Sequence, residues 1–231
     1  MMSDDGQQLY ADDWMRVSRT KAGKVGSGRV LISFTGIGHR INGFNYQKAE
    51  FGRLGESYDQ MFIVSDLTRS WANSIDFDRL AEVIDREASG AEIHSIGNSM
   101  GGFIALLAPK FLPISRTVAF APQYSMNPVI VPWETRWPHY RKGIKDWLYP
   151  SLDGFWQDGT QYYAFIGTVG PDGMQAKLFP ERDNLTLTLL PTGHHVAAEL
   201  KRVGAMHNVI AHCFDGTYSH QWFESEYPIQ G

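Results

Sequence analysis

The sequence predicts an α/β protein with one mostly parallel central sheet and helices on both of its faces. Short apolar runs, typical of buried strands, alternate with longer amphipathic segments for most of the 231 residues. The composition, with 43% hydrophobic and 20% charged residues, is that of an ordinary globular chain. A chain of this length allows one domain, and we expect residues 1–231 to form a single one.

The order of the elements follows from these patterns. Two short runs, 8–12 and 14–18, fit the arms of an N-terminal hairpin. Apolar runs predict six further strands, over 30–35, 61–65, 92–96, 116–121, 162–168 and 185–190. Helical spacing of apolar residues predicts helices over 76–88, 103–112, 171–179 and 196–214, the third with a proline at its start.

Charge and cysteine content exclude several classes of protein. The formal net charge of -4 gives no basic surface for binding nucleic acid. The single cysteine, Cys213, excludes an internal disulfide and a multi-cysteine metal site. The first thirteen residues are polar, and no apolar run approaches the ~20 residues that a membrane span needs. We therefore expect a cytoplasmic protein without a secretory signal or a membrane span.

One segment has a pattern that serves nucleophilic catalysis. Gly97-x-Ser99-x-Gly101 lies between a predicted strand and a predicted helix. A serine on so tight a turn presents its hydroxyl at the edge of the sheet, and a Cβ on either flanking glycine would collide with neighbouring backbone. The helix N-terminus behind the serine can stabilise an oxyanion.

With this motif the chain resembles the α/β-hydrolase superfamily, whose nucleophile elbow is similar to the GNSMGG stretch that contains Ser99. The resemblance extends from about residue 28 to residue 214. It implies a nucleophile, an acid and a histidine in that chain order. It also implies an acyl-enzyme mechanism that requires no cofactor.

The resemblance assigns the other two catalytic residues by their positions after strands. The histidine is expected after the last strand, where Gly193-His194-His195 lies; we assign the base to His194, with His195 as the alternative. The acid is expected after the preceding strand, where Asp172 lies. The loop 121–127, one strand earlier, contains no carboxylate, which favours Asp172.

The oxyanion hole is assigned in the same way. The first donor is the backbone N–H of Met100, which follows the nucleophile. The second is the N–H of Ile37, from the loop after the first predicted sheet strand. We expect no metal site: His207 and His212 are five residues apart and do not share a helix face as an i, i+4 pair would.

Residues 126–158 break the alternation of strands and helices, and we expect them to form a short cap over the site. Four of the seven tryptophans of the chain lie in this segment. Trp133 and Trp137 are candidates for the wall of a substrate site, and Arg136 for binding an anionic group. An equally open interpretation is that the aromatic residues fix the cap to the body and that the cations are solvated.

The resemblance implies a serine hydrolase that cleaves an ester or thioester of a small molecule or a glycan. A weaker resemblance, carried by GNSMGG together with Ala119-Phe120-Ala121-Pro122-Gln123, is to small bacterial hydrolase-like proteins of polysaccharide pathways. Two alternatives stay open: an acyltransferase that uses the same triad with an alcohol or glycan acceptor, and a non-catalytic protein with a hydrolase fold. The sequence does not determine the oligomeric state.

Overall fold

The computed structural model describes residues 6–20, 26–41, 44–47 and 50–228. Its strands are β1 (Gln7–Ala11), β2 (Met15–Arg19), β3 (Arg29–Phe34), β4 (His39–Ile41), β5 (Phe44–Tyr46), β6 (Gln60–Asp66), β7 (Glu92–Asn98), β8 (Ile114–Phe120), β9 (Gln161–Gly167) and β10 (Leu185–Leu190). Its α-helices are α1 (Phe77–Ala88), α2 (Met100–Leu107), α3 (Pro138–Gly143), α4 (Pro171–Ala176), α5 (Val196–Arg202), α6 (Met206–Asp215) and α7 (His220–Glu226).

Eight of these strands form one sheet in the spatial order β1-β2-β6-β3-β7-β8-β9-β10. The β1–β2 hairpin is antiparallel and β2 runs antiparallel to β6, whereas every other neighbouring pair is parallel. The chain passes from β3 to β6 on one side and then to β7 on the other. In parallel sheets, a crevice for ligands opens at such a reversal, outside the carboxyl ends of the strands.

Helices cover both faces of the sheet. On one face, α1 and α2 enclose an apolar core with β3 and β6, whose largest buried side chains include Phe34, Phe62 and Phe103. On the other face, α5, α6 and α7 enclose a second core that contains Leu31 and Phe165. This architecture confirms the predicted fold class.

The sequence signals explain where α1 begins and what it buries. The Asp76 side chain caps the helix by accepting a hydrogen bond of 2.9 Å from the N–H of Arg79. Helical spacing then places Phe77, Leu80 and Ile84 on the buried face. The predicted helix over 76–88 is therefore confirmed.

Three predicted helices differ from the structure. The predicted helix over 196–214 is wrong as one element: α5 and α6 are separate, and Gly204 between them has a φ of 72°. The predicted helix over 103–112 begins earlier, at Met100, and its last turn is a 3₁₀ helix over Ala108–Lys110. The predicted helix over 171–179 ends at Ala176.

Residues 126–158 form the connection between β8 and β9, and α3 is the only α-helix described within it. Aromatic side chains of this β8–β9 connection pack on the body of the protein. Tyr149 lies edge-on to Phe77 and Phe111 at 5.8 and 5.7 Å between ring centroids. Its N–H also donates to the side-chain oxygen of Asn73. None of the described helices is both long enough and apolar enough to cross a membrane.

Candidate active site

Ser99 lies at the turn between β7 and α2, at the carboxyl edge of the sheet. Its backbone angles are φ 58° and ψ −122°, a strained conformation for a residue other than glycine. The turn is held by a hydrogen bond of 2.8 Å from the Ser99 N–H to the carbonyl oxygen of Phe120 in β8. Sheet and helix together fix the direction of the hydroxyl group.

The two glycines that flank Ser99 are required by close backbone contacts. A Cβ on Gly97 would lie 2.0 Å from the carbonyl oxygen of Gly101 in α2. A Cβ on Gly101 would lie 2.2 Å from the carbonyl oxygen of Phe34 at the end of β3. Both distances are far shorter than any van der Waals contact, so only glycine fits, as the sequence predicts.

The neighbouring strands β9 and β10 bring Asp172 and His194 to the same edge as Ser99. Asp172 lies in the first turn of α4, after β9, and is 1% exposed; His194 lies in the loop after β10. The Ser99 hydroxyl is 2.9 Å from Nε2 of His194, and Nδ1 of His194 is 2.8 Å from Oδ1 of Asp172. The three side chains thus form a continuous hydrogen-bonded chain.

The groups around Asp172 favour its ionised form. Burial raises the pKa of its carboxyl group, but the hydrogen bond from His194 and the charge of Arg136 outweigh it, so the pKa lies below its ordinary value. His195, the alternative base, is exposed at the N-terminus of α5. Of these two histidines, His194 is the one that reaches Ser99.

Two backbone N–H groups are available near Ser99. Met100 is the first residue of α2, directly after the serine, and Ile37 lies in the loop after β3. Among the described residues, neither N–H donates a hydrogen bond. Both were predicted as oxyanion donors.

Glu50 is a carboxylate near the site that sequence reasoning missed. Its carboxyl group lies near the Gly36 backbone and the Asn98 side chain, between the loop that carries Ile37 and the turn that carries Ser99. Burial raises the pKa of Glu50 to about 7, against the opposing effects of Asn98, of the charge of Lys201 and of the Gly36 N–H. No motif or spacing in the sequence marks this residue.

The β8–β9 connection brings Arg136 and Trp137 against His194. Arg136 donates to Oδ2 of Asp172 at 2.7 Å, and its guanidinium stacks on the Trp137 ring at 4.9 Å. The Trp137 ring lies 5.3 Å from the His194 ring, edge to face. Trp133 is half-buried, and among the described residues it makes no aromatic contact or hydrogen bond with these groups.

A groove of about 480 Å³ opens beside the same connection. It lies between α3 and the loop after β6, and the β1–β2 turn contributes the exposed Trp14. Residues His139, Tyr140 and Lys145 line it from the connection. The residues that line this groove do not include Ser99, Asp172, His194 or Trp137. Within the described ranges, no three His, Cys, Asp or Glu side chains lie close enough together to hold a metal ion.

Comparisons with known proteins reveal structural relatives only. No protein-family model matches the chain, and no curated protein matches its sequence. The capsule O-acetyltransferase of Neisseria meningitidis serogroup A superposes with a TM-score of 0.61 at 14% identity, over 88% of this chain and 94% of that chain.

Two serine hydrolases superpose in the same way. An α/β serine hydrolase homologue from Coxiella burnetii has a TM-score of 0.55 at 10% identity, over 90% of this chain and 99% of that chain. A lidless α/β serine hydrolase from Xanthomonas campestris has a TM-score of 0.51 at 17% identity, over 90% of this chain and 94% of that chain. The chain has the α/β-hydrolase fold.

This result confirms the resemblance on which the sequence analysis depends. The turn between β7 and α2, where Ser99 lies, is the position at which the resemblance predicts the nucleophile. The likeness to the capsule O-acetyltransferase agrees with the weaker resemblance to proteins of polysaccharide pathways.

The segment Ala119–Gln123, which carries that weaker resemblance, has a structural role here. The buried Gln123 side chain accepts a hydrogen bond of 2.8 Å from the indole N–H of Trp71. Trp71 in turn lies 5.8 Å from Trp137.

Proposed function

We propose that this protein is a serine acyl hydrolase that cleaves a carboxylic ester or thioester through an acyl-enzyme. The observation that carries the proposal is the hydrogen-bonded chain from Ser99 through His194 to Asp172, at 2.9 and 2.8 Å. Distances of this size are those at which a base can take the proton of a nucleophile. The substrate class is an acyl ester of a small molecule or a glycan.

The reaction proceeds in two halves. The Ser99 oxygen forms a bond to the acyl carbon while its proton passes to Nε2 of His194. The negative charge on the carbonyl oxygen is stabilised by the N–H groups of Ile37 and Met100. As the tetrahedral intermediate collapses, the bond to the leaving group breaks and His194 protonates that group.

Water then completes the cycle. It attacks the acyl carbon while His194 takes one of its protons, and the bond to the Ser99 oxygen breaks as that oxygen regains a proton. Asp172 keeps Nδ1 of His194 protonated and stabilises the imidazolium that forms in each half. No group other than these side chains and water is needed for the balance.

The first experiment is covalent labelling with a fluorophosphonate probe, followed by peptide mass spectrometry. We expect one adduct on Ser99 that disappears in Ser99→Ala and falls by at least about a thousandfold in rate in His194→Ala. His195→Ala is the matched control and is expected to label like the wild type. A folded protein that does not label would favour the non-catalytic alternative.

A second candidate is an O-acyltransferase that uses the same residues with an alcohol or sugar hydroxyl as acceptor. One observation favours it: a structural neighbour is a capsule O-acetyltransferase. Acetyl-ester turnover measured with and without added mono- or oligosaccharides distinguishes the two. Acylated sugar as the main product supports the transferase, and free acid alone supports the hydrolase.

A further inference from the structure

Arg136 lies between two buried carboxylates. Its Nε and Nη2 donate to the two oxygens of Glu134 at 2.9 and 2.6 Å. Its Nη1 donates to Oδ2 of Asp172 at 2.7 Å. The Glu134 side chain has no exposed surface, and that of Asp172 is 2% exposed. All three nitrogens of the guanidinium therefore donate to protein carboxylates, and one further N–H remains on each of Nη1 and Nη2.

Each oxygen of Asp172 has a different donor. Oδ1 accepts from Nδ1 of His194 at 2.8 Å, and Oδ2 accepts from Arg136. A buried carboxylate that is bonded on both oxygens keeps one orientation, and charge-assisted bonds of this length are among the stronger ones in proteins. Arg136 thereby fixes the carboxylate against which His194 is aligned.

Arg136 also acts on His194 directly through its charge. Its Nη1 lies 3.3 Å from Nδ1 of His194. When Nε2 accepts from Ser99, Nδ1 carries the proton, so both nitrogens are donors and this contact is not a hydrogen bond. The guanidinium therefore places a positive charge next to the ring nitrogen that faces Asp172.

Glu134 holds the guanidinium in this position. In addition to the two-pronged bond, Oε1 of Glu134 accepts from the backbone N–H of Arg136 at 3.0 Å. Its Oε2 accepts from the side chain of Gln175 at 3.3 Å, and Gln175 belongs to α4, the helix that carries Asp172. The hydrogen bonds of Glu134 and Arg136 thus tie the β8–β9 connection to α4 at two points.

We propose that Glu134 and Arg136 are a positioning pair: the β8–β9 connection supplies a guanidinium that orients Asp172 and places a positive charge next to His194. This inference rests on the proposed function. The anion-binding role that the sequence predicts for Arg136 stays a prediction beside it. The pair makes the β8–β9 connection part of the catalytic apparatus rather than only a cover.

The test measures how Arg136 affects the titration of His194. The charged or titratable groups around this ring are Asp172 and Arg136 in contact with it, Glu134 behind Arg136, His195 next in the chain, and Glu50 with Lys201 near the elbow. The ring Cε1–H resonance of His194 is followed by NMR from low to high pH and is assigned by its loss in His194→Gln.

Four variants separate charge from structure. Arg136→Gln is expected to move the midpoint of the His194 titration upward by about one pH unit. Arg136→Lys keeps the charge and is expected to move it less. Glu134→Gln removes a negative charge instead, so the midpoint of the His194 titration is expected to move downward in this variant. The control, Arg202→Gln, removes an exposed guanidinium with the same two-pronged contact to Glu199, and its midpoint stays unchanged.

The rate of fluorophosphonate labelling gives the second readout. In Arg136→Gln we expect the acidic limb of the pH profile of the labelling rate to move in the same direction as the His194 midpoint measured by NMR. We also expect the plateau to fall on the order of tenfold, because the carboxylate loses its fixed orientation. Arg136→Lys is expected to recover part of this plateau.

The outcomes distinguish this inference from the function on which it rests. A wild-type protein that does not label Ser99 overturns the proposed function, whereas the NMR midpoints still report the effect of Arg136. Labelling of the wild type with unchanged midpoints in Arg136→Gln and Glu134→Gln overturns the positioning pair alone. Arg136→Gln leaves Glu134 buried without a partner. If that variant does not fold, the double variant Glu134→Gln/Arg136→Gln, which removes both charges, takes its place. Its His194 midpoint must then move upward by less than the shift expected for Arg136→Gln.

Discussion

The indole of Trp137 lies edge to face with the imidazole of His194, with 5.3 Å between ring centroids. Trp137 holds this position in a left-handed backbone conformation, with a φ of 51°, directly before α3. The Trp137 ring also lies 5.8 Å from the Trp71 ring, and the Arg136 guanidinium lies over it at 4.9 Å. The ring is therefore fixed on several sides and forms one wall beside the candidate base.

Replacing Trp137 tests whether this wall contributes to catalysis. We expect Trp137→Ala to lower kcat/KM for an acetyl ester about tenfold, because the contact with His194 and the stacking under Arg136 are lost together. Trp133→Ala is the matched control from the same connection, with an expected change below about twofold. Equal losses in the two variants would contradict a specific role for Trp137.

Removing the charge of Asp172 tests its function as the acid. Asp172→Asn is expected to lower kcat on the order of a thousandfold or more, because the amide no longer stabilises the imidazolium and favours the wrong tautomer of His194. Steady-state kinetics on an activated ester give the value. Asp158→Asn, at an exposed carboxylate paired with Arg182, is the control and should retain full activity. A retained kcat in Asp172→Asn would place the acid elsewhere.

Close packing at the elbow predicts a loss of stability in Gly101→Ala. The new Cβ would lie 2.2 Å from the Phe34 carbonyl oxygen, so β3 or α2 must shift. We expect the free energy of unfolding, measured in urea, to fall by about 3 kcal/mol or the protein not to fold. Gly159→Ala, where no atom lies within 4 Å of the added Cβ, should change it by less than about 0.5 kcal/mol.

The raised pKa of Glu50 predicts a pH-dependent stability. Because the folded-state pKa of about 7 lies above the ordinary 4.5, the folded protein binds more protons than the unfolded chain between these values. The free energy of unfolding therefore falls as the pH rises from about 4.5 to 7, by at most about 3 kcal/mol from this group.

Glu50→Gln removes this contribution. Relative to the wild type, the variant should gain stability as the pH rises from 5 to 8, as measured by urea unfolding at both values. Glu56→Gln, at an exposed glutamate in the 3₁₀ helix Gly52–Ser57, is the control with no expected change in this difference. A parallel pH dependence in wild type and Glu50→Gln would contradict a raised pKa of Glu50.

Local patterns were sufficient to predict the eight strands of the main sheet and α1, but not β4 and β5. The apolar run over 185–190 coincides with β10, and the apolar spacing over 76–88 marked α1. The predictions that failed concern features that depend on contacts between segments distant in the chain. Apolar residues continue with helical spacing across Gly204, so the sequence predicted one helix, but the chain turns there to keep both α5 and α6 on the same core.

For the candidate site, the sequence by itself determined the fold class, the Ser99 turn with its glycines, and the candidates after β9 and β10. These features depend on the order of strands and on backbone space, which local residue types encode. Glu50, Glu134 and the engagement of Arg136 were decided only by the tertiary structure. The sequence places Glu134 near Arg136 but does not reveal the buried partner that Arg136 also binds. Burial and charge pairing depend on segments distant in the chain. Arg136 contacts Asp172 across 36 positions, and Ser99 contacts His194 across 95.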